Sequence, residues 1–206
     1  LNLSLCVIAY NSFLEDNLEN LVQKISKRLK QVRKERGWSL DMTSQKTGVS
    51  KAMLGQIERC ESSPTISTLW KIASGCDVSF SSFVEEPSSS ENELTIRRGS
   101  LEKLHPQDNK ILVLPLFSYD SALGFEAFII ELLPGCEHMS PPHQVGVHEH
   151  IIVTSGQIEV FAGGVWHTLK QNEGMKFNAD QAHGYRNLSH KKAVFHDIIH
   201  YKGAKR

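Results

Sequence analysis

Close to the front of the chain, the residues with the chemistry to read another molecule cluster around Ser50: Lys51, Ala52, Met53, Gly55 and Gln56, in the run GVSKAMLGQIER. Lysine and glutamine side chains can hydrogen-bond base-pair edges, and small neighbours allow close approach, so the chemistry indicated is recognition in a DNA major groove. If the run is helical, Leu54 and Ile57 face inward, which turns these five residues outward. Charge agrees with this reading. Leu21 to Arg59 holds ten basic and three acidic residues, a net of +7, in a 206-residue chain whose 23 Lys+Arg and 23 Asp+Glu cancel. A basic front on an acidic remainder suits a polyanion partner.

The elements that must position these residues are helical. From Leu18, the apolar residues Leu21, Val22, Ile25, Leu29 and Val32 recur at three- and four-residue steps, an amphipathic stripe that Gly37 ends. Shorter helices are expected at 40–47, 51–59, 66–74 and 79–84, separated by Gly48, Ser50, Pro64 and Gly75. Together they make a five-helix bundle. At the turn, Gly48 can take a positive φ, Val49 can plug the angle between two helices, and the Ser50 hydroxyl can cap the next helix. The competing reading is a bundle whose basic residues only solvate its surface.

These residues resemble the lambda-repressor-like, Cro-type helix-turn-helix family over roughly residues 18–84. GVSKAMLGQIER followed by ESSPTISTLWKIA reproduces the family's order of turn, recognition helix, Glu-Arg ending, Pro-Thr cap and following helix. The resemblance implies DNA binding, with Lys51, Ala52 and Gln56 as base readers beside Ser50 and Met53, and Ser39, Arg59 and Thr65 on phosphates. Two positions depart from the pattern. Cys60 stands where the family usually has Gly after the recognition helix, so either it adopts a left-handed conformation or the turn differs. Leu40 replaces a polar contact in the first turn of the second helix.

Pro87 to Asn92, PSSSEN, has nothing to bury and reads as a linker. Beyond Glu93 the pattern changes to short β-rich runs, LTIRR, ILVLPLF, FEAFIIELL, HIIVTSG, QIEVFA, VWHTL and AVFHDIIHY, with Gly163-Gly164 as a hairpin signal. Cys6, Cys60, Cys76 and Cys136 lack the close paired spacing of a zinc finger or disulfide framework, so reduced cytoplasmic thiols are expected. The opening LNLSLCVIAY lacks a basic leading region and falls below the roughly 20 residues that span a bilayer. A weak strand, a disordered extension and a translation-start artefact all remain open for it.

His143-Gln144-Val145, then Glu149, then Gly156, and later His183 and Asn187, are spaced as in the cupin family, which this half resembles over roughly residues 94–200. That resemblance implies a β-barrel around one metal ion, with His143, Glu149 and His183 at ligand positions. Val145 replaces the second histidine, and Asn178 and Asp180 replace the usual Pro and Gly. Two imidazoles and one carboxylate can hold a divalent transition metal, with Zn, Fe, Mn and Ni all compatible; the competing reading is a metal-free barrel with a polar ligand cavity. Strand alternation puts Glu149, Ile151 and Val153 on one face and His148, His150 and Ile152 on the other. Tyr185 and Asn187 share the His183 parity and are expected to face the cavity with it, and Trp166 is a candidate to stack on a ligand. His138, His167, His190, His196 and His200 are expected to be surface or hydrogen-bonded residues.

The expectation is an α + β two-domain protein: a helix-turn-helix domain over 18–86, a linker over 87–93 and an all-β cupin barrel, a double-stranded β-helix, over 94–202. Its function would be that of a cytoplasmic, sequence-specific transcriptional regulator, a homodimer on double-stranded DNA with no membrane attachment. Its barrel would sense a small effector such as a carboxylate, amino acid or sugar-like compound. One rival is a metal-dependent cupin dioxygenase or isomerase with an autoregulatory DNA-binding domain; another is a barrel that serves only for dimerisation.

Overall fold

The structure, a computed structural model, describes residues 20–84, 110–120 and 122–201. The linker, the LTIRR run and the opening segment lie outside these residues. The helical part comprises α1 (residues 20–35), α2 (Leu40–Thr47), α3 (Lys51–Glu58), α4 (Ile66–Gly75) and the single turn α5 (Ser81–Val84). Ile25, Leu29 and Val32 of the α1 stripe are buried against Leu54, Ile57, Leu69 and Ile72. Burial of such aliphatic side chains, about 1.5–3 kcal/mol each, is the main force holding the short helices together. A half-buried ion pair adds direction, with Arg33 Nε and Nη2 donating to the two Glu58 carboxylate oxygens at 2.6 and 2.8 Å and so pinning α1 to the end of α3.

Hydroxyls cap three helices in succession. Ser39, Ser50 and Thr65 accept the amides of Met42, Met53 and Thr68. Gly48 takes φ 67° at the end of α2. Of the two alternatives for Cys60, the left-handed conformation is the one adopted, at φ 59°, with Cys60 N–H donating to Ile57 O and Glu61 N–H to Gln56 O. Asp77 does the same after α4, at φ 52°, with bonds to Ser74 O and, from Val78, to Ala73 O. Gly75, expected as a turn or cap residue after this helix, is the last residue of α4 itself. A Cβ there would sit 2.5 Å from Lys46 O and Thr47 Cα, so the missing side chain lets α2 and α4 backbones touch.

The β part has nine strands: β1 (Ile111–Asp120), β2 (Phe125–Leu132), β3 (Cys136–Ser140), β4 (His148–Ser155), β5 (Gln157–Ala162), β6 (Val165–Lys170), β7 (Gly174–Asn178), β8 (His183–Asn187) and β9 (Ala193–His200). They form a five-stranded sheet, β1-β2-β9-β4-β7, and a four-stranded sheet, β3-β8-β5-β6, with every ladder antiparallel. The expected closed barrel is therefore corrected to two separate sheets, since no ladder joins them among the described residues. Their apolar faces, with Phe128, Ile151, Ile158, Val160 and Phe195 almost fully buried, supply the core. Gly163 and Gly164, at φ 62° and 85°, turn the β5–β6 hairpin as their sequence suggests. Cys60, Cys76 and Cys136 are free thiols. No helix among the described residues is long and apolar enough to cross a membrane.

The helical part packs on the five-stranded sheet. Trp70 of α4 stacks on Phe80, at 4.5 Å between centroids, and both meet Phe128 of β2 edge-on. Behind them the buried Glu126 carboxylate accepts the amides of Phe80 and Ser81 at 3.3 and 3.1 Å and the Tyr201 hydroxyl, while Tyr119 N–H donates to Ser81 Oγ. Burial pushes the Glu126 carboxyl above its ordinary pKa, against those hydrogen bonds.

Candidate nucleic-acid interface and metal centre

Capping by Ser50 and burial of Leu54 and Ile57 set the rotation of α3. Lys51, Ala52, Gln56 and Arg59 are exposed, as their spacing suggests. Two neighbours differ. Gly55 is buried, with Leu40 Cδ1 and Arg59 Nη1 closing over the space a side chain would take, so Leu40 packs α2 onto α3. Met53 is half-buried, and its sulfur accepts the Ser62 hydroxyl at 3.8 Å. Ser39 and Thr65 are exposed at the starts of α2 and α4. Each hydroxyl oxygen accepts a backbone amide beside the positive end of a helix, an arrangement suited to phosphate, and Thr65 Oγ1 also shares a 2.9 Å hydrogen bond with Thr68 Oγ1.

Among the described residues, Arg33, Lys51 and Arg59 have acidic partners. Arg33 is spent on Glu58, Lys51 Nζ lies 2.8 Å from Asp41, and Arg59 makes a two-point pair with Glu61 at 2.7 Å for each bond. The last two pairs are exposed and readily exchanged for phosphate. Replacement Glu61→Gln should therefore free Arg59 and remove a repelling charge, tightening binding to every duplex by about threefold. Fluorescence anisotropy at low salt reads this, and unchanged affinity would contradict it.

At the other site, His143 Nε2 lies 2.9 Å and His183 Nε2 3.2 Å from Glu149 Oε1, and the three ligand atoms fall within 4.8 Å of one another. The alternation in β4 is as read: Glu149, Ile151 and Val153 are buried at 1 % exposure each, whereas Ile152 is 44 % exposed. Tyr185 donates its hydroxyl to Glu149 Oε2. Burial alone would raise the Glu149 carboxyl, but the adjoining His143 and His183 imidazoles hold it below the ordinary carboxylate range. Burial pulls His183 down, and the Glu149 carboxylate with the Gln181 carbonyl reverses this to a net rise.

The donor set suits a divalent transition metal. His183 Nδ1 lies 2.8 Å from the Gln181 carbonyl, which fixes the proton there and leaves Nε2 as the lone-pair nitrogen. That buried Nε2 approaches Glu149 at a poor hydrogen-bond angle and so is unsatisfied, as expected of a ligand atom. On the other imidazole, His143 Nδ1 lies 3.4 Å from Ser74 Oγ of α4, and its ring lies 5.2 Å from Trp70. Gln144 Nε2 donates to Asp77 Oδ1. Both contacts cross from the β part to the helical part.

The structure gathers only one of the three expected effector residues here, Tyr185. Asn187 shares its parity and is buried, but its amide donates to Leu132 O and Lys191 O and accepts Ser189 N–H and Oγ–H, so it holds a turn. Trp166 pairs with Phe161 on the outer face of the four-stranded sheet, under the Arg186 guanidinium at 4.1 Å. Val145 is 88 % exposed. One group, His138, departs from the surface or hydrogen-bonded place expected of it, and a second, Asp197, went unread in the sequence. Buried His138 faces inward on β3 opposite Tyr185, and Asp197 of β9 is buried with Oδ1 unpartnered among the described residues. Strand parity carries both signals: for His138 it needs β3 to be identified, and for Asp197 it was available in the AVFHDIIHY run.

Burial, then the His183 charge, lowers His138 to about 4 from 6.5, outweighing the opposing Glu149 charge. It is neutral in the fold and protonates first in the unfolded chain. Stability should thus fall by up to about 3 kcal/mol as pH drops from 6.5 to about 4. Urea melts across that window test this, with His138→Gln expected to flatten the curve and an unchanged slope contradicting it.

Residues 29–83 match the helix-turn-helix family and residues 128–199 the cupin domain family. The chain is 46 % identical over 184 residues to the HTH-type transcriptional regulator SutR of Escherichia coli K12, spanning 89 % of this chain and 98 % of that one. A helix-turn-helix family regulator from Vibrio cholerae, known from its crystal structure, is 44 % identical with a TM-score of 0.78, covering 90 % of this chain and 99 % of its own. The HTH-type transcriptional regulator SinR of Bacillus subtilis is 41 % identical over 63 residues, 30 % of this chain and 57 % of its own. With the capped α3 and the inward-facing histidines and glutamate of its β domain, the chain belongs to the DNA-binding transcriptional regulators that join a Cro/lambda-repressor-type helix-turn-helix to a cupin domain.

Proposed function

We propose that the cupin domain controls DNA affinity through a small-molecule effector and a divalent transition metal held by His143 Nε2, Glu149 Oε1 and His183 Nε2. The observation that carries this is the double engagement of His143, which faces Glu149 through one ring nitrogen and Ser74 of the DNA-binding domain through the other. A bound ion would hold two imidazoles and a carboxylate as one unit and offer open positions to water or a ligand donor. Ser74 orients His143, Gln181 sets the His183 tautomer, and Tyr185 steadies Glu149 from below. Any change in the His143 ring is then felt by α4, next to the α2–α3 pair that meets DNA.

In this reading the regulator is a homodimer whose two α3 helices enter major grooves about 34 Å apart. Gln56, Lys51 and Ala52 meet base edges with Ser50 and Met53 alongside, and Ser39, Arg59 and Thr65 meet phosphates. Coupling of about 1–3 kcal/mol between the sites is enough for regulation. The test is anisotropy of the full chain on a selected duplex, after chelation and after loading with Zn2+ or Mn2+. The expected result is a fivefold or larger change in Kd, on the order of the coupling above, reduced by Ser74→Ala without loss of metal-free DNA binding. Superimposable isotherms for the stripped and loaded protein would contradict it.

A further inference from the structure

Between the two domains, beside His143, lies a cavity of about 230 Å3. Trp70, Ser74 and Asp77 line it from the helical side, and Tyr119, His143 and Tyr201 from the β side. Its walls combine three aromatic rings with one carboxylate. No lysine or arginine is among the lining residues, so an anion entering would lose its water with no fixed positive charge in return. Aromatic faces offer negative potential to a cation, and rings with a carboxylate nearby form the usual environment of a bound organic ammonium group.

Each wall is fixed in advance. Trp70 is clamped by Phe80 and Phe128. Tyr119 and Tyr201 meet edge to face at 5.3 Å, and the Tyr201 hydroxyl is tied to Glu126. Asp77 is set by the left-handed turn that ends α4 and by the Gln144 amide on Oδ1. The Tyr119 hydroxyl is raised above its ordinary pKa by burial first and then by the charges of Glu126, Asp120 and Asp77, while the Arg36 guanidinium donates to the Asp77 carbonyl at 3.1 Å.

We propose that this interdomain cavity is a binding site for a small organic ammonium ion, its charged nitrogen against Asp77 and enclosed by Trp70, Tyr119 and Tyr201. The site adjoins the proposed metal site through His143, which lines it, whereas Glu149 and His183 do not. Because both domains supply walls, a bound cation favours the docked arrangement over any in which the domains part. That consequence for DNA rests on the regulator reading above; the binding itself does not.

Isothermal titration calorimetry on the full-length protein, at constant ionic strength, tests the site with choline and ethanolamine against 3,3-dimethylbutan-1-ol, the neutral carbon isostere of choline, and against acetate. The ammonium ions should bind at least about tenfold more tightly than the neutral isostere, and acetate should not bind. Replacement Asp77→Asn, which keeps the side-chain shape and tolerates the left-handed turn, should weaken choline at least about tenfold with the melting temperature retained. Tyr119→Leu should weaken it independently. Equal binding of choline and its isostere, preference for acetate, or full affinity in folded Asp77→Asn would overturn the proposal. The same protein titrated onto duplex separates the readings. Choline binding without any duplex binding contradicts the regulator reading and upholds the site; duplex binding without ammonium binding does the reverse.

Discussion

Replacing Glu149 with alanine is expected to lower affinity for a divalent transition metal by more than about 100-fold, since the loss of groups that merely orient a ligand already costs about 10–100-fold. Glu149 is the hub of the site: at 1 % exposure, its Oε1 faces both imidazole Nε2 atoms and its Oε2 takes the Tyr185 hydroxyl. Its removal takes away the only anion among the three proposed ligands and leaves a buried phenol without its acceptor. Melting temperature should fall as well, because each unsatisfied buried polar group costs about 1–3 kcal/mol. Elemental analysis of the folded variant after dialysis against Zn2+ is the check. Metal content equal to that of the parent protein would remove Glu149 from the ligand set.

The second large effect is expected from Glu126→Ala. Three donors, the amides of Phe80 and Ser81 and the hydroxyl of Tyr201, converge on that one carboxylate inside the domain interface. Without it they have no replacement acceptor and little water, so the joint should lose about 3–5 kcal/mol. The domains should then melt in two separate transitions. Glu126→Gln, which keeps one acceptor oxygen, should lie in between. Differential scanning calorimetry distinguishes these outcomes, and a single transition within about 2 °C of the parent would show that Trp70, Phe80 and Phe128 hold the interface by packing alone.

The helix-turn-helix was legible because its signals are local. A hydroxyl before α2, α3 and α4, Gly48 in the turn and Leu54 and Ile57 three apart all act within a few residues, and each does in the structure what its chemistry suggests. Gly75 was misread because its role is non-local: a space for the α2 backbone looks, in sequence, like a turn residue. Asp77 was unread for the converse reason, since nothing in its type reveals a left-handed conformation.

In the β half, His143, Glu149 and His183 were found by spacing, while the strands β3 and β7, at five residues each, were too short and too polar to stand out. With β3 unread, His138 had no face to be assigned to. Trp166 and Asn187 show the limit of parity itself. Parity says which residues share a face, but not which face is covered or whether an amide is already satisfied by a turn. The interdomain contacts, Ser74 to His143 and Asp77 to Gln144, join residues 69 and 67 positions apart and leave no periodic trace.

The most direct test of the account is the salt dependence of duplex binding by the full chain, measured for the parent, Arg59→Ala and Gln56→Ala on a selected operator and on unrelated DNA. The parent should bind both with affinity that falls steeply as salt rises. Arg59→Ala should weaken both about equally and reduce the logarithmic slope by about 1. Gln56→Ala should cost about 1–3 kcal/mol on the operator alone. If no duplex is bound in a salt-sensitive way, or if Gln56→Ala loses the same affinity on both sequences, then the outward face of α3 is not what reads DNA.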